Sequence, residues 1–312
     1  MSSFSFLFLL VMVLLSVAFF TLIELRVLGI SHIRLGPDRV GFFGYFQALA
    51  DLIKLFEKAV SYFTFFYSFF FFFSPLWGIF LGLLVWLVFF GSFSFSSFFY
   101  GVLLFFCLTR LFVYFVLLGG WSSGRVYSRL GSYRSRVQLI SYEVSMFFVF
   151  ICLMLYLNSF DFFFYSDVWF GVFIFLFFSP LFFCWVVCCL AERNRTPFDF
   201  SEGESELVSG FNTEYYGGYF SFFIVSEYSS MLFFSFVSRL LFFGSGYFYL
   251  FFFFFVFLFI WVRACFPRLR FDRLMYFNWK SVLPLVLSYF LFFSGFLIFS
   301  EDSLFRILAL GA

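Results

Sequence analysis

Eight long stretches of nearly uninterrupted apolar side chains, near residues 4–25, 66–91, 98–120, 137–157, 169–191, 215–242, 246–263 and 281–299, leave this chain few ways to fold. A hydrocarbon core about 30 Å thick takes roughly 20 apolar residues to cross as a helix, and the stretches are close to that length. Helices also pair every backbone N–H and C=O where no water can reach them, which open strands cannot do. Of the 312 residues, 64% are hydrophobic and only 12% charged, with a mean hydropathy of +1.06, far from the composition of soluble domains. The prediction is an all-α polytopic integral membrane protein with about eight transmembrane helices, forming a single membrane domain over 1–312. The first stretch has no basic leader and no small-residue cleavage site, and it runs straight into Glu24 and Arg26. It therefore reads as a retained span rather than a signal peptide, and no import presequence is expected.

Charge is distributed unevenly among the connections. Those after the first, third, fifth and seventh stretches hold 16 of the 19 Lys and Arg residues, and those after the second, fourth and sixth hold none. By the positive-inside rule the basic connections face a cytoplasm or mitochondrial matrix, with both termini on the opposite side. Within the first basic connection, residues 44–59 place Phe46, Leu49, Ile53 and Phe56 at helical spacing, with Asp51, Lys54 and Lys58 on the other face. That pattern predicts an amphipathic helix lying in the interface, too short and too charged to span.

Several chemistries find no residues to carry them. The six cysteines, Cys107, Cys152, Cys184, Cys188, Cys189 and Cys265, fall mostly within apolar stretches without CxxC spacing, so they read as small core hydrophobes rather than ligands of zinc or iron–sulfur clusters. His32 is the only histidine, which excludes a bis-histidine haem and leaves GESEL (203–207) without a triad partner. GSG at 244–246 lacks the further glycine of a dinucleotide fingerprint, and there is no Walker loop. No metal site or nucleic-acid partner is expected.

What remains is acid chemistry at the membrane boundary. Residues 191–220, AERNRTPFDFSEGESELVSGFNTEYYGGYF, hold six carboxylates and two arginines between two apolar stretches, with the acidic connection at 192–214. A central Asp or Arg costs about 2.5–3.5 kcal/mol on insertion scales, so acids retained near helix ends read as a path for protons or ions. Glu143 falls two turns into the fourth stretch and Glu192 ends the fifth. Glu227 lies about 20 Å along the sixth if that helix begins near Glu214. With Asp199, Glu202, Glu204 and Glu206 they form a set of acids suited to exchanging protons near neutrality. Arg110, midway along the third stretch, is expected to pair with a neighbouring subunit or to snorkel to lipid head groups.

Four segments, RLGPDRVGFFGYFQALADLIKLFEK, LGSYRSRVQLISYEV, the AERNRTPFDF to GGYF block and RACFPRLRFDRLMYFNWKSVLPL, resemble in order the subunit 1 family of mitochondrial NADH:ubiquinone oxidoreductase, respiratory complex I, and its bacterial H subunit. The resemblance covers nearly the whole chain. It implies a multi-pass protein of the mitochondrial inner membrane that forms the wall of a ubiquinone tunnel beneath a peripheral arm holding flavin and iron–sulfur clusters. Ubiquinone would be a substrate, no redox cofactor would reside in this chain, and the partners would be quinone-site subunits of the peripheral arm, neighbouring membrane-arm subunits and membrane lipids. Carried over residue by residue, Glu143, Glu192, Asp199, Glu202, Glu204 and Glu227 would begin the proton path. Arg26, Arg34, Asp51 of the 44–58 helix, Arg195 and Phe198 would frame the tunnel. The chain departs from the family pattern at Gly124 and Arg125, where an Asn and a displaced basic residue are usual, at the Glu57–Lys58 order, at Arg193 in place of a Thr, and at Arg110. Two other readings are carried: a secondary transporter with midplane acids, for which no inverted repeat is visible, and the related membrane subunit of proton-pumping hydrogenases, which lacks a quinone.

Overall fold

The computed structural model describes residues 2–41, 44–58, 68–88, 101–157, 178–199, 215–244 and 248–310. Its helices are α1 (Ser2–Ser31), α2 (Gln47–Glu57), α3 (Ser68–Leu84), α4 (Gly101–Ser122), α5 (Val126–Leu157), α6 (Ser179–Glu192), α7 (Gly217–Phe243), α8 (Phe248–Cys265), α9 (Phe271–Phe277) and α10 (Leu283–Leu310), with one π turn, Asn278–Val282, joining the last two. No strand occurs among the described residues. Six of these stretches are long and apolar enough to cross a membrane: α1, α3, α4, α5, α7 and the run from α9 into α10. Two shorter apolar helices, α6 and α8, stand where the fifth and seventh spans are expected. The protein is all-α and polytopic, as its apolar stretches predict.

α1 and α5 overrun the apolar stretches that announced them. α1 has 30 residues and α5 has 32, so they extend about 45 and 48 Å, well beyond a hydrocarbon core. Arg129, Arg134 and Arg136 therefore lie on the first turns of α5, and Arg273 and Lys280 on α9 and the π turn, where connections were expected. Hydropathy marks where a helix meets lipid, whereas a helix ends where its backbone bonding is interrupted. α5 starts just after Gly124, at φ +70, a left-handed conformation that Gly or Asn accepts. This accounts for Gly standing where the family pattern has Asn.

α7 is the hub, packing on α1, α2, α3, α6 and α8, while α5 joins α4 to α6 and α10. Between them lies an aromatic core in which Phe150 meets Trp185 at 5.0 Å and Phe105 stacks on Phe233 at 5.6 Å. Lipid offers no hydrophobic drive for helix association, so close approach rests on small residues and internal hydrogen bonds. Six serines of α7 are buried, and each returns its hydroxyl to a carbonyl one turn back. Gly82 of α3 lies so near Ser229 that a Cβ there would come within 2.6 Å of its hydroxyl. At Gly120 of α4 a Cβ would collide with the side chain of Ser132 on α5.

α2 rests on the outside of this bundle. Ala48 and Leu52 pack on Ala18 and Leu22 of α1, and Phe56 meets Phe222 of α7 at 5.8 Å. Phe46, Leu49 and Ile53 stay exposed, an apolar stripe facing outward as an interfacial helix requires. Within 44–59 the helix itself spans Gln47–Glu57. Of the acidic connection at 192–214, residues 200–214 lie outside the described residues, and Glu202, Glu204 and Glu206 with them.

Because α4 and α5 touch at Gly120, a larger residue there forces them apart at a cost of about 1–3 kcal/mol, typical of overpacking. Gly120→Val is expected to lower the thermal unfolding midpoint of the detergent-extracted protein. Gly295→Ala, whose Cβ meets nothing within 4 Å, serves as the silent control.

Candidate functional site

The turn after α6 is built by its own backbone and braced from two sides. Asn194 adopts φ 48, its N–H donates to the Ala191 carbonyl at 3.3 Å, and the Phe198 N–H donates to the Arg195 carbonyl at 2.7 Å. Buried Gln138 of α5 donates through Nε2 to the carbonyls of Ala191 at 2.7 Å and Phe198 at 2.9 Å, fixing both ends of the turn. The Leu269 N–H donates to the Pro197 carbonyl at 3.1 Å, and Arg268 pairs with Asp199 at 3.0 Å. Two basic connections, far apart in sequence, thus meet at one end of the bundle.

From this turn a row of acids and cations runs through the helices on both sides. On the α4–α5 side Arg110 Nε holds Glu143 Oε1 at 2.5 Å, and Glu143 lies within electrostatic reach of Glu192 at the end of α6. Arg193 follows, buried between the rings of Phe112 at 5.0 Å and Phe234 at 4.4 Å, and it acts in turn on Glu227 of α7. Arg195 stands 3.8 Å from Glu227 Oε2 and 4.4 Å over the ring of Tyr228. The Tyr228 hydroxyl donates to Glu24 Oε2 on α1, and Arg263 at the end of α8 donates to Glu24 Oε1. Glu143 and Glu24 are 2% and 5% exposed, so nearby cations are what make their burial tolerable.

Of the expected acids, Glu143, Glu192 and Glu227 are brought into this row and Asp199 is held by Arg268. Glu202 and Glu204 lie outside the described residues. Glu143 stands 17 residues, about 26 Å, from the start of α5, and Glu227 only about 15 Å from the start of α7 at Gly217. Both depths differ from the sequence expectation because the helices begin elsewhere. Arg110 finds a partner within the chain, at Glu143, while its side chain stays largely exposed. The expected tunnel residues divide into groups. Arg26 lies 5.1 Å from the Tyr45 ring, Asp51 accepts from Gln47 Nε2 at 2.8 Å, and Arg34 is exposed beyond α1. Arg195 belongs to the charge row. Phe198 is buried beside Tyr142 at 6.2 Å and faces an apolar cavity between α6 and α8. Among the described residues no group of three or more His, Cys, Asp or Glu side chains could hold a metal.

Sequence reasoning missed Glu24, Tyr228 and Gln138. A signal existed for Glu24: apolar residues resume at Leu25, Val27, Leu28 and Ile30, which puts the carboxylate inside the helix rather than at its end. Nothing in the sequence joins it to Arg263, 239 positions away. Loss of Arg263 strands a buried carboxylate. Arg263→Gln is expected to cost about 2–3 kcal/mol, less than the roughly 3–5 of a fully buried pair because the arginine is partly exposed. The Glu24→Gln/Arg263→Gln double variant should recover part of that loss in thermal unfolding, the coupling that a double-mutant cycle measures.

Known proteins supply the remaining context. Residues 4–294 match the family described as NADH dehydrogenase. The NADH-ubiquinone oxidoreductase chain 1 of Aedes aegypti is 46% identical over 96% of this chain and 97% of its own length, and that of Anopheles gambiae is 47% identical over 96% of each. The chain 1 of Apis mellifera ligustica is 39% identical over 92% of this chain and 94% of its own. Matched over nearly its full length in both comparisons, the chain belongs to the NADH dehydrogenase family, as a membrane chain 1 of the NADH-ubiquinone oxidoreductase complex.

Proposed function

We propose that this chain forms the membrane wall of a ubiquinone path and the first stage of a proton path, in a multi-subunit assembly of the mitochondrial inner membrane. The observation that carries the reading is the row from Arg110 and Glu143 through Glu192, Arg193, Glu227 and Arg195 to Tyr228, Glu24 and Arg263. It interleaves acids and cations across six helices, with Glu143 and Glu192 acting on each other as like charges, so a change of charge at one link alters the balance at the next. Arg195 is the sensitive link, because its cation is shared between the Glu227 carboxylate and the Tyr228 ring. A quinone reduced nearby, by electrons from flavin and clusters on other subunits, takes up protons and passes through charged forms. Arg195 then leans toward the new negative charge and releases Glu227, which gains a proton and passes the imbalance toward Arg193, Glu192 and Glu143.

In this reading the quinone approaches along the face of α1 and α2. Arg26 and Arg34 mark its mouth, Asp51 lies on the polar side of α2, and Phe46, Leu49 and Ile53 offer apolar contacts to an isoprenoid chain. Phe198 contributes through the turn that presents Arg195. Asp199 adjoins that turn, and Glu202 and Glu204, outside the described residues, would complete the acid set. The neighbouring membrane-arm subunits would receive the protons, and peripheral-arm subunits would dock on the basic connections.

Glu→Gln at 202 or 227 keeps the shape of a link and removes its ionisation. NADH:quinone turnover and proton translocation are expected to fall together by about tenfold or more, a barrier increase of about 1.4 kcal/mol or more. Assembly and electron flow from NADH to an artificial acceptor should persist. A photoreactive quinone analogue is expected to label α2 or residues 193–206 in the same preparations. Normal coupled turnover in both variants sinks the proton path, and labelling confined to 248–265 and 283–298 sinks the quinone path.

A further inference from the structure

Two cavities that the charge row does not use adjoin each other around Phe277. The larger, about 710 Å³, lies between α6 and α8 and is walled by Phe182, Leu190, Phe198, Trp261, Val262 and Phe266, with Phe277 at its edge. Its volume is that of a ligand pocket, roughly 300–1,000 Å³, but such pockets place a few polar groups to orient their ligand and this one is lined by apolar residues alone. Trp261 and Phe266 are exposed, so the cavity opens outward. The smaller, about 430 Å³, is formed by Arg273, Tyr276, Phe277, Lys280 and Ser281. These residues recur at three- and four-residue intervals along α9 and the π turn and so share one face.

The two cations of the smaller cavity differ from their neighbours. Arg268 is paired with Asp199 and Arg270 with Asp272, whereas Arg273 and Lys280 have no carboxylate partner among the described residues. The Lys280 ammonium donates to the Tyr276 hydroxyl at 2.7 Å, which holds it at the cavity. An apolar chamber joined to a cationic one beside a membrane-spanning bundle matches a molecule with a long apolar chain and an anionic head. Basic pockets of this kind between membrane helices bind anionic lipid head groups.

We infer that this pair of cavities is a binding site for an anionic phospholipid, its acyl chain between α6 and α8 and its phosphate at Arg273 and Lys280. A ubiquinone fits the pair less well, since its neutral head gains less from two cations than a phosphate does and no carboxylate of the charge row lines the chamber. The site shares Phe198 with the turn invoked for the quinone path but does not require a quinone to be bound. Bound lipid would fill the space beside Pro197 and Phe198 and so stiffen the turn that carries Arg195.

The test uses the intact complex reconstituted with phosphatidylglycerol or phosphatidylcholine carrying a diazirine near the acyl terminus, with labelled peptides mapped after illumination. Phosphatidylglycerol is expected to label 182–190 or 258–269 about fivefold or more above phosphatidylcholine, consistent with the attraction of one or two cations. Arg273→Gln/Lys280→Gln should bring the two probes level while NADH oxidation by an artificial acceptor is unchanged. Should that variant fail to assemble, excess unlabelled phosphatidylglycerol must suppress the signal in the unaltered complex, and unlabelled phosphatidylcholine must not. Equal labelling by the two probes in the unaltered complex would overturn the proposal. So would cross-links from 258–269 to another polypeptide in place of lipid, or displacement of the phosphatidylglycerol probe by a quinone analogue.

Discussion

A charge buried in a bilayer must find its opposite, and that requirement organises this protein more than any apolar contact does. The Glu24 carboxylate is the plainest case, since it is held by Tyr228 of α7 and Arg263 of α8 and therefore fixes three helices at one depth. Arg110 and Glu143 do the same for α4 and α5. Removing one partner of such a pair costs more than the pair contributes net, so the pairs act chiefly as constraints on register. A bundle with a defined charge row needs that register, because the helix surfaces are otherwise apolar and slide past one another at little cost.

The aromatic composition gives the same lesson from the other side. Phe is abundant enough, at 70 residues, to fill lipid-facing and core positions alike. Where it meets an arginine it becomes specific. Arg193, at a place where the family pattern has Thr, lies between Phe112 and Phe234, whose ring faces offset part of the cost of burying its charge. Arg195 uses Tyr228 in a similar way. Such contacts leave a guanidinium charged and oriented without committing it wholly to one carboxylate.

Small residues make this closeness attainable. Gly82 against Ser229 and Gly120 against Ser132 let α3 meet α7 and α4 meet α5 with backbones near contact. The serines of α7 satisfy their hydroxyls within their own helix, so a polar sequence becomes a surface that packs like an apolar one. Neither device shows in a hydropathy profile, where Gly and Ser merely dilute the signal.

The sequence by itself determined the class of the fold, because apolar stretches of that length have one stable form in a bilayer, and it located the costly acids because charges stand out against such a background. Glu143, Glu192 and Glu227 were legible for that reason, as was the amphipathic α2. Only the tertiary structure decided which charges meet. The helix periodicity around Glu24 or Arg110 has no bearing on a partner 239 or 33 residues away, and the choice follows from how Gly and Ser contacts set the depth of each helix against α7 and α5. The helix ends were decided there too: α5 starts at Val126 and α7 at Gly217 because left-handed glycines at 124 and 217 interrupt the backbone, a stereochemical event to which the apolar pattern is blind.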